Sequence, residues 1–160
     1  MKISIHSLVI ALALAGAPVV NALAQTTVSD AWVRATVAQQ TTTGMFARIT
    51  SASGGRLVAA SSPVAGVVEI HEMTMVDNMM RMRPVAGLDL PAGKPVELKP
   101  SGYHVMLMEL KQQLKVGDTV PVTLVIEDSN GKRENVEVKA QVKALATTEH
   151  DAIKHDALKQ

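Results

Sequence analysis

Clusters of turn-forming residues break this chain at short intervals and leave room for little but strands. Between Val28 and Val142 they fall at Ser53-Gly54-Gly55, Asp77-Asn78, Pro91-Ala92-Gly93, Gly117-Asp118 and Ser129-Asn130-Gly131. The segments between them are rich in Val, Thr, Ile and Leu, and no apolar period of 3.6 residues competes. They predict strands near 28–37, 44–50, 56–61, 67–76, 79–84, 95–99, 102–110, 119–127 and 132–142. Many short strands joined by turns build an all-β sandwich or barrel. After Val142 the character changes: Ala144 to Gln160 is polar, contains Ala, and has no β-branched run beyond Ile153 and a Thr pair, which predicts a flexible tail or a short helix.

The first residues read as a cleaved signal peptide over 1–24. Lys2 supplies the charged end, Leu8 to Ala17 the apolar run, and Ala22-Leu23-Ala24 the small-residue site before Gln25. Pro18 and Asn21 interrupt the run after about ten residues, short of the roughly twenty that a membrane anchor needs. The expected organisation is therefore an exported chain with one β-sandwich domain over 25–145 and a polar tail over 146–160, without membrane insertion of the mature protein. Sixteen Lys and Arg balance fifteen Asp and Glu, so there is no charge excess to favour nucleic acid. The sequence contains no Cys, so the core must hold without disulfides and thiol chemistry is excluded. A blue-copper electron-transfer centre is excluded with it, because that site requires a Cys thiolate.

Seven of the nine Met fall in two short windows, as Met73, Met75, Met79, Met80, Met82, Met106 and Met108, and each window holds one His, His71 or His104. Thioethers are ordinary core filler, and either His alone could be a satisfied core or surface residue. Alternation along a strand argues for more. His104 and Met106 share a face opposite Tyr103, Val105 and Leu107, with about 7 Å between their backbones, so imidazole and thioether can converge on one ion. His71 shares a face with Met73 and Met75. If Asp77-Asn78 forms a two-residue turn, Val76 pairs with Met79, Met75 with Met80 and Met73 with Met82, and His71 lies diagonal to Met82. A three-residue loop would instead move Met82 to the other face. Two neutral imidazoles and two thioethers form a soft, uncharged donor set suited to tetrahedral Cu(I) rather than to Zn, Ca, Mg or Cu(II).

At these residues the chain resembles the periplasmic copper(A) chaperone family, whose signature is His, ten residues, Met, twenty-one residues, His-x-Met. Here His71 is followed after ten residues by Met82, and after twenty-one more by His104-Val105-Met106. Flanking text is also similar: Ala31 to Ala35, Val68 to Met73, Met80 to Val85, Leu90 to Gly93 and Gly102 to Met108. The resemblance covers roughly Val28 to Val142. It implies a cupredoxin-like Greek-key β-sandwich with a Cu(I) site near the surface, held by His71, Met82, His104 and Met106, with Met73 as an auxiliary or transfer ligand. It implies periplasmic delivery of copper to the copper-centre domain of a respiratory cytochrome oxidase, often alongside a Sco-type protein. Some relatives carry metal-binding C-terminal extensions, and His150 and His155 in this tail, as harder donors, would suit Cu(II).

Other functions leave weaker marks. An enzyme using Glu69 or Glu72 with His71 as acid and base lacks a Ser or Cys nucleophile motif, a phosphate-binding Gly loop and zinc-hydrolase spacing, so the chain reads as non-enzymatic. A purely structural sandwich, or copper sequestration for tolerance without a dedicated acceptor, stays open at this level. Arg81 and Arg83 bracket Met82 on the opposite face, as solvated strand charges or part of a docking surface.

Overall fold

The computed structural model describes residues 25–144; the expected leader over 1–24 and almost all of the tail, with His150 and His155, lie outside the described residues. Ten strands and no helix make up this part: β1 (Thr26–Arg34), β2 (Thr42–Ser51), β3 (Gly55–Ser61), β4 (Ala65–Val76), β5 (Met79–Pro84), β6 (Leu88–Leu90), β7 (Pro95–Leu98), β8 (Tyr103–Leu110), β9 (Thr119–Glu127) and β10 (Arg133–Lys143). They join in the order β5-β4-β8-β2-β1-β10-β9-β3-β6, with β7 pairing on β2. The one parallel contact is β1 with β10, at Trp32 to Gln141 and its two successors. The ladder folds over into a β-sandwich, and a single apolar cluster fills it.

Period-two patterning explains which faces meet. In β9, Val120, Val122, Leu124 and Ile126 are buried; in β10, Val138, Ala140 and Val142; in β8, Val105 and Leu107; in β2, Met45, Ala47 and Ile49. Each fully buried aliphatic side chain contributes about 1.5–3 kcal/mol, which makes disulfides unnecessary at this size. At its centre β2 is buried on both faces, because Gly44 and Phe46, which point away from the core, are covered too.

The strands lie close to the predicted ones, with two differences. The first strand ends at Arg34 rather than at 37, because the Ala35 amide donates to the Lys143 carbonyl at 2.8 Å and the Thr36 amide to the Leu114 carbonyl at 2.9 Å, which leads the chain off the ladder. A three-residue strand, Leu88–Leu90, was not anticipated; it pairs with β3 and buries both Leu side chains.

Candidate metal centre

The β4–β5 hairpin closes through a two-residue turn in which Asp77 and Asn78 take φ of 51° and 59°. Both residues tolerate the left-handed region, and that turn matches the strands' own twist. Register follows as counted: Val76 faces Met79, Met75 faces Met80, Met73 faces Met82, and His71 faces Pro84. On its other side β4 pairs with β8, setting His71 directly opposite His104 and Glu69 opposite Met106. Next comes β2, where Gly44 faces Met106, and then β1, where Trp32 faces Phe46. One transverse stripe on the outer face of the sheet therefore carries Met82, Met73, His71, His104, Met106, Gly44, Phe46 and Trp32.

Within the stripe a cavity of about 170 Å³ is lined by Met73, Met82, His104 and Met106, with Phe46 and Arg34 among its walls. His71 stands beside this cavity rather than in its lining. Its ring centre lies 6.1 Å from that of His104. Of the five residues singled out in the sandwich, the structure thus gathers Met73, Met82, His104 and Met106 around one space and places His71 next to His104.

The hydrogen bonds determine which ring nitrogens have free lone pairs. His104 Nδ1 lies 3.1 Å from the Gly102 carbonyl, which can only accept, so Nδ1 carries the proton. Nε2 is then bare, and it sits 3.3 Å from the Met82 sulfur, one lone pair against another. Burial pushes the His104 imidazole below its ordinary 6.5, and the neighbouring His71 and Arg34 add to the effect against the Gly102 carbonyl. It is neutral at pH 7. His71 Nε2 donates to the Glu69 carboxylate at 2.8 Å, while its Nδ1 is buried without a partner. An unsatisfied buried polar atom costs about 1–3 kcal/mol. The bare Nε2 of His104, the unpartnered Nδ1 of His71 and a cavity edged by three thioethers thus lie on one patch.

The surroundings fix these groups and set the charge. Phe46 packs against Trp32 with ring centres 4.5 Å apart and against His104 at 6.1 Å, while the Arg34 guanidinium lies 5.9 Å over the Phe46 ring. No carboxylate lines the cavity. Among the described residues, no three His, Asp or Glu side chains converge as a hard-donor site would require. On the other face of the hairpin, Arg83 donates to Glu72 at 2.8 Å, and Tyr103 lies opposite Glu72 on the neighbouring strand. The Arg83 bond, with help from Tyr103, holds the Glu72 carboxyl below its usual range, and Glu72 holds the Tyr103 hydroxyl above its own. Arg83 is thus an anchor for the hairpin. Gly44, Phe46, Arg34 and the role of Glu69 beside His71 were not read from the sequence; Glu69 and His71 two apart on one strand face was the only available signal.

Residues 26–142 match the family described as "Putative lipoprotein LpqE-like". The chain belongs to that family. A relative, "Putative lipoprotein Lxx21020" of Leifsonia xyli subsp. xyli, is 33% identical over 113 residues, covering 70% of this chain and 68% of the relative. The solution structure of the Cu(I) form of DR1885 from Deinococcus radiodurans is 33% identical with a TM-score of 0.58, over 79% of this chain and 83% of that one. The copper-bound PCuAC domain from PmoF2 shares the fold, with a TM-score of 0.60 at 21% identity over 78% of this chain and 97% of that one. The resemblance to copper(A) chaperones read from the sequence is borne out, and so is the all-β cupredoxin-like sandwich. No described helix is long and apolar enough to cross a membrane.

Proposed function

We propose that this LpqE-like protein is a periplasmic copper chaperone that holds one Cu(I) as cargo with His71, Met82, His104 and Met106 and passes it on by ligand exchange. The observation that carries the reading is the contact between two Lewis bases, His104 Nε2 and Met82 Sδ, 3.3 Å apart with no proton between them. Tetrahedral ions with bonds of about 2.0 Å to nitrogen and about 2.3 Å to sulfur separate two such donors by roughly 3.5 Å. The pair is therefore spaced to share a metal. The orphaned Nδ1 of His71 supplies a second bare nitrogen, and the Met106 thioether completes a soft, neutral set. Arg34 at the cavity wall penalises a divalent ion more than a monovalent one, which supports Cu(I) over Zn(II) or Cu(II).

Delivery is supported by exposure. Met82 is 46% exposed while His104 is 4% exposed, so an acceptor reaches the weaker ligand first. Acceptor Cys or His displaces the thioethers, then the imidazoles, and no covalent bond of the protein changes. The proposed acceptor is the copper-centre domain of a respiratory cytochrome oxidase, or a Sco-type protein feeding it. The lipoprotein relative supports an exported location. The test is a Cu(I) competition titration of the parent and of His104→Ala, followed by mixing the loaded parent with an apo dinuclear-copper domain. One tight equivalent lost in the variant, and rapid transfer only with the acceptor present, is expected. Equal affinities would overturn the site, and slow release to every acceptor would favour sequestration.

A further inference from the structure

Strand β5 is unusual in contributing nothing to the core: all six of its residues are exposed. It lies at the sheet edge, yet it carries thioethers at Met79, Met80 and Met82. Across from it Met75 is 63% exposed, and Met80 is 51% exposed. These side chains leave about half or more of their surface in solvent and none belongs to the core, so core packing does not account for them.

The register gives them an arrangement. With Val76 and Met79 flanking the two-residue turn, the hydrogen-bonded pairs are Val76–Met79 and Thr74–Arg81, and the non-hydrogen-bonded pairs are Met75–Met80 and Met73–Met82. In pairs of that second kind the Cα atoms approach to about 4.5 Å and the side chains are closest. Two thioether pairs therefore stand on one face, about 7 Å apart along the strands. The inner pair lines the cavity; the outer pair stands in solvent near the turn. The two pairs share the face that carries His71 and His104.

We infer that Met75 and Met80 form a second, weaker site for a soft monovalent cation, Cu(I) in the cell, through which the ion enters and leaves the inner site. The inference rests on the copper reading above only for its cargo. Among the described residues the register brings these two sulfurs together there, a weak donor pair, so binding is loose, and movement to Met73 and Met82 exchanges one thioether pair for another.

The test uses redox-inert Ag(I) on the mature protein labelled with ¹³C at the Met methyl groups. The first equivalent is expected to move the Met82 and Met106 methyl signals and the second those of Met75 and Met80. In Met75→Leu/Met80→Leu the first equivalent binds with unchanged affinity, the second is lost, and transfer of Cu(I) to an apo acceptor slows several-fold. Met75 and Met80 signals that stay in place through two equivalents, a second equivalent that survives the double substitution, or transfer at the parent rate would each overturn the inference. His104→Ala separates the two readings: it removes the tight inner equivalent while the Met75 and Met80 signals still respond.

Discussion

Replacing Gly44 by Ala tests whether the Phe46 wall holds the site. A Cβ built on Gly44 lies 2.8 Å from Phe46 Cζ, where ordinary contact begins at 3.4 Å, so the ring must move by about 0.6 Å. Gly44 is not among the positive-φ residues, so the contact alone opposes alanine. The ring is held on several sides: Phe46 is 3% exposed and packs against Trp32, His104 and Arg34 where it borders the cavity. Overpacking of this kind costs about 1–3 kcal/mol, and the lower entropy of the unfolded alanine chain offsets about 0.4–1 kcal/mol of it. A net loss of about 1–2 kcal/mol lowers Tm by roughly 4–8 °C for a domain of this size. Thermal unfolding followed by circular dichroism measures it, and the His104 ring proton signals should shift in the same variant. Adding Phe46→Leu should restore part of the loss, because the clash disappears with the ring. An unchanged or raised Tm in Gly44→Ala would refute the claim that the wall is tightly packed.

Inserting one Gly between Asp77 and Asn78 lengthens the turn and moves Met82 to the opposite face, so Cu(I) affinity by competition titration should fall at least about tenfold. Substituting both Asp77 and Asn78 by Ala keeps the register but forces two left-handed alanines, costing about 1–2 kcal/mol each in urea unfolding. Leu107→Ala, at a fully buried position, should cost about 2–5 kcal/mol by the same assay. For pH, the unfolded chain protonates His104 near 6.5 while the folded protein holds it below that value, so stability of the apo protein falls as pH drops below 6.5 and levels off beneath the folded value. His104→Gln should flatten that limb; an identical pH profile would show that His104 is not its source.

Local features were legible in the sequence and distant pairings were not. Asp77-Asn78 determines the β4–β5 register because a two-residue turn leaves no freedom in the count, and the alternation of His104 and Met106 follows from strand geometry alone. The opposition of His71 and His104 depends on β4 pairing with β8 across a long stretch of chain, which no local pattern specifies. The same holds for β2 delivering Gly44 and Phe46 to the outer face, where Trp32, His104 and Arg34 pack on Phe46 and the Phe46 ring in turn covers Gly44. Leu88–Leu90 was too short to show a period, and the bare Nδ1 of His71 depends on a side-chain bond to Glu69 that spacing permits but does not require.

The central claim is a nitrogen and sulfur site for a monovalent copper ion, and X-ray absorption at the copper edge of the protein loaded with one Cu(I) tests it most directly. The account predicts an edge typical of Cu(I), with two nitrogen donors at about 2.0 Å and two sulfur donors at about 2.3 Å, the sulfur shell shrinking in Met82→Leu and in Met106→Leu. A shell of nitrogen and oxygen alone, or a sulfur count unchanged by both substitutions, would contradict it.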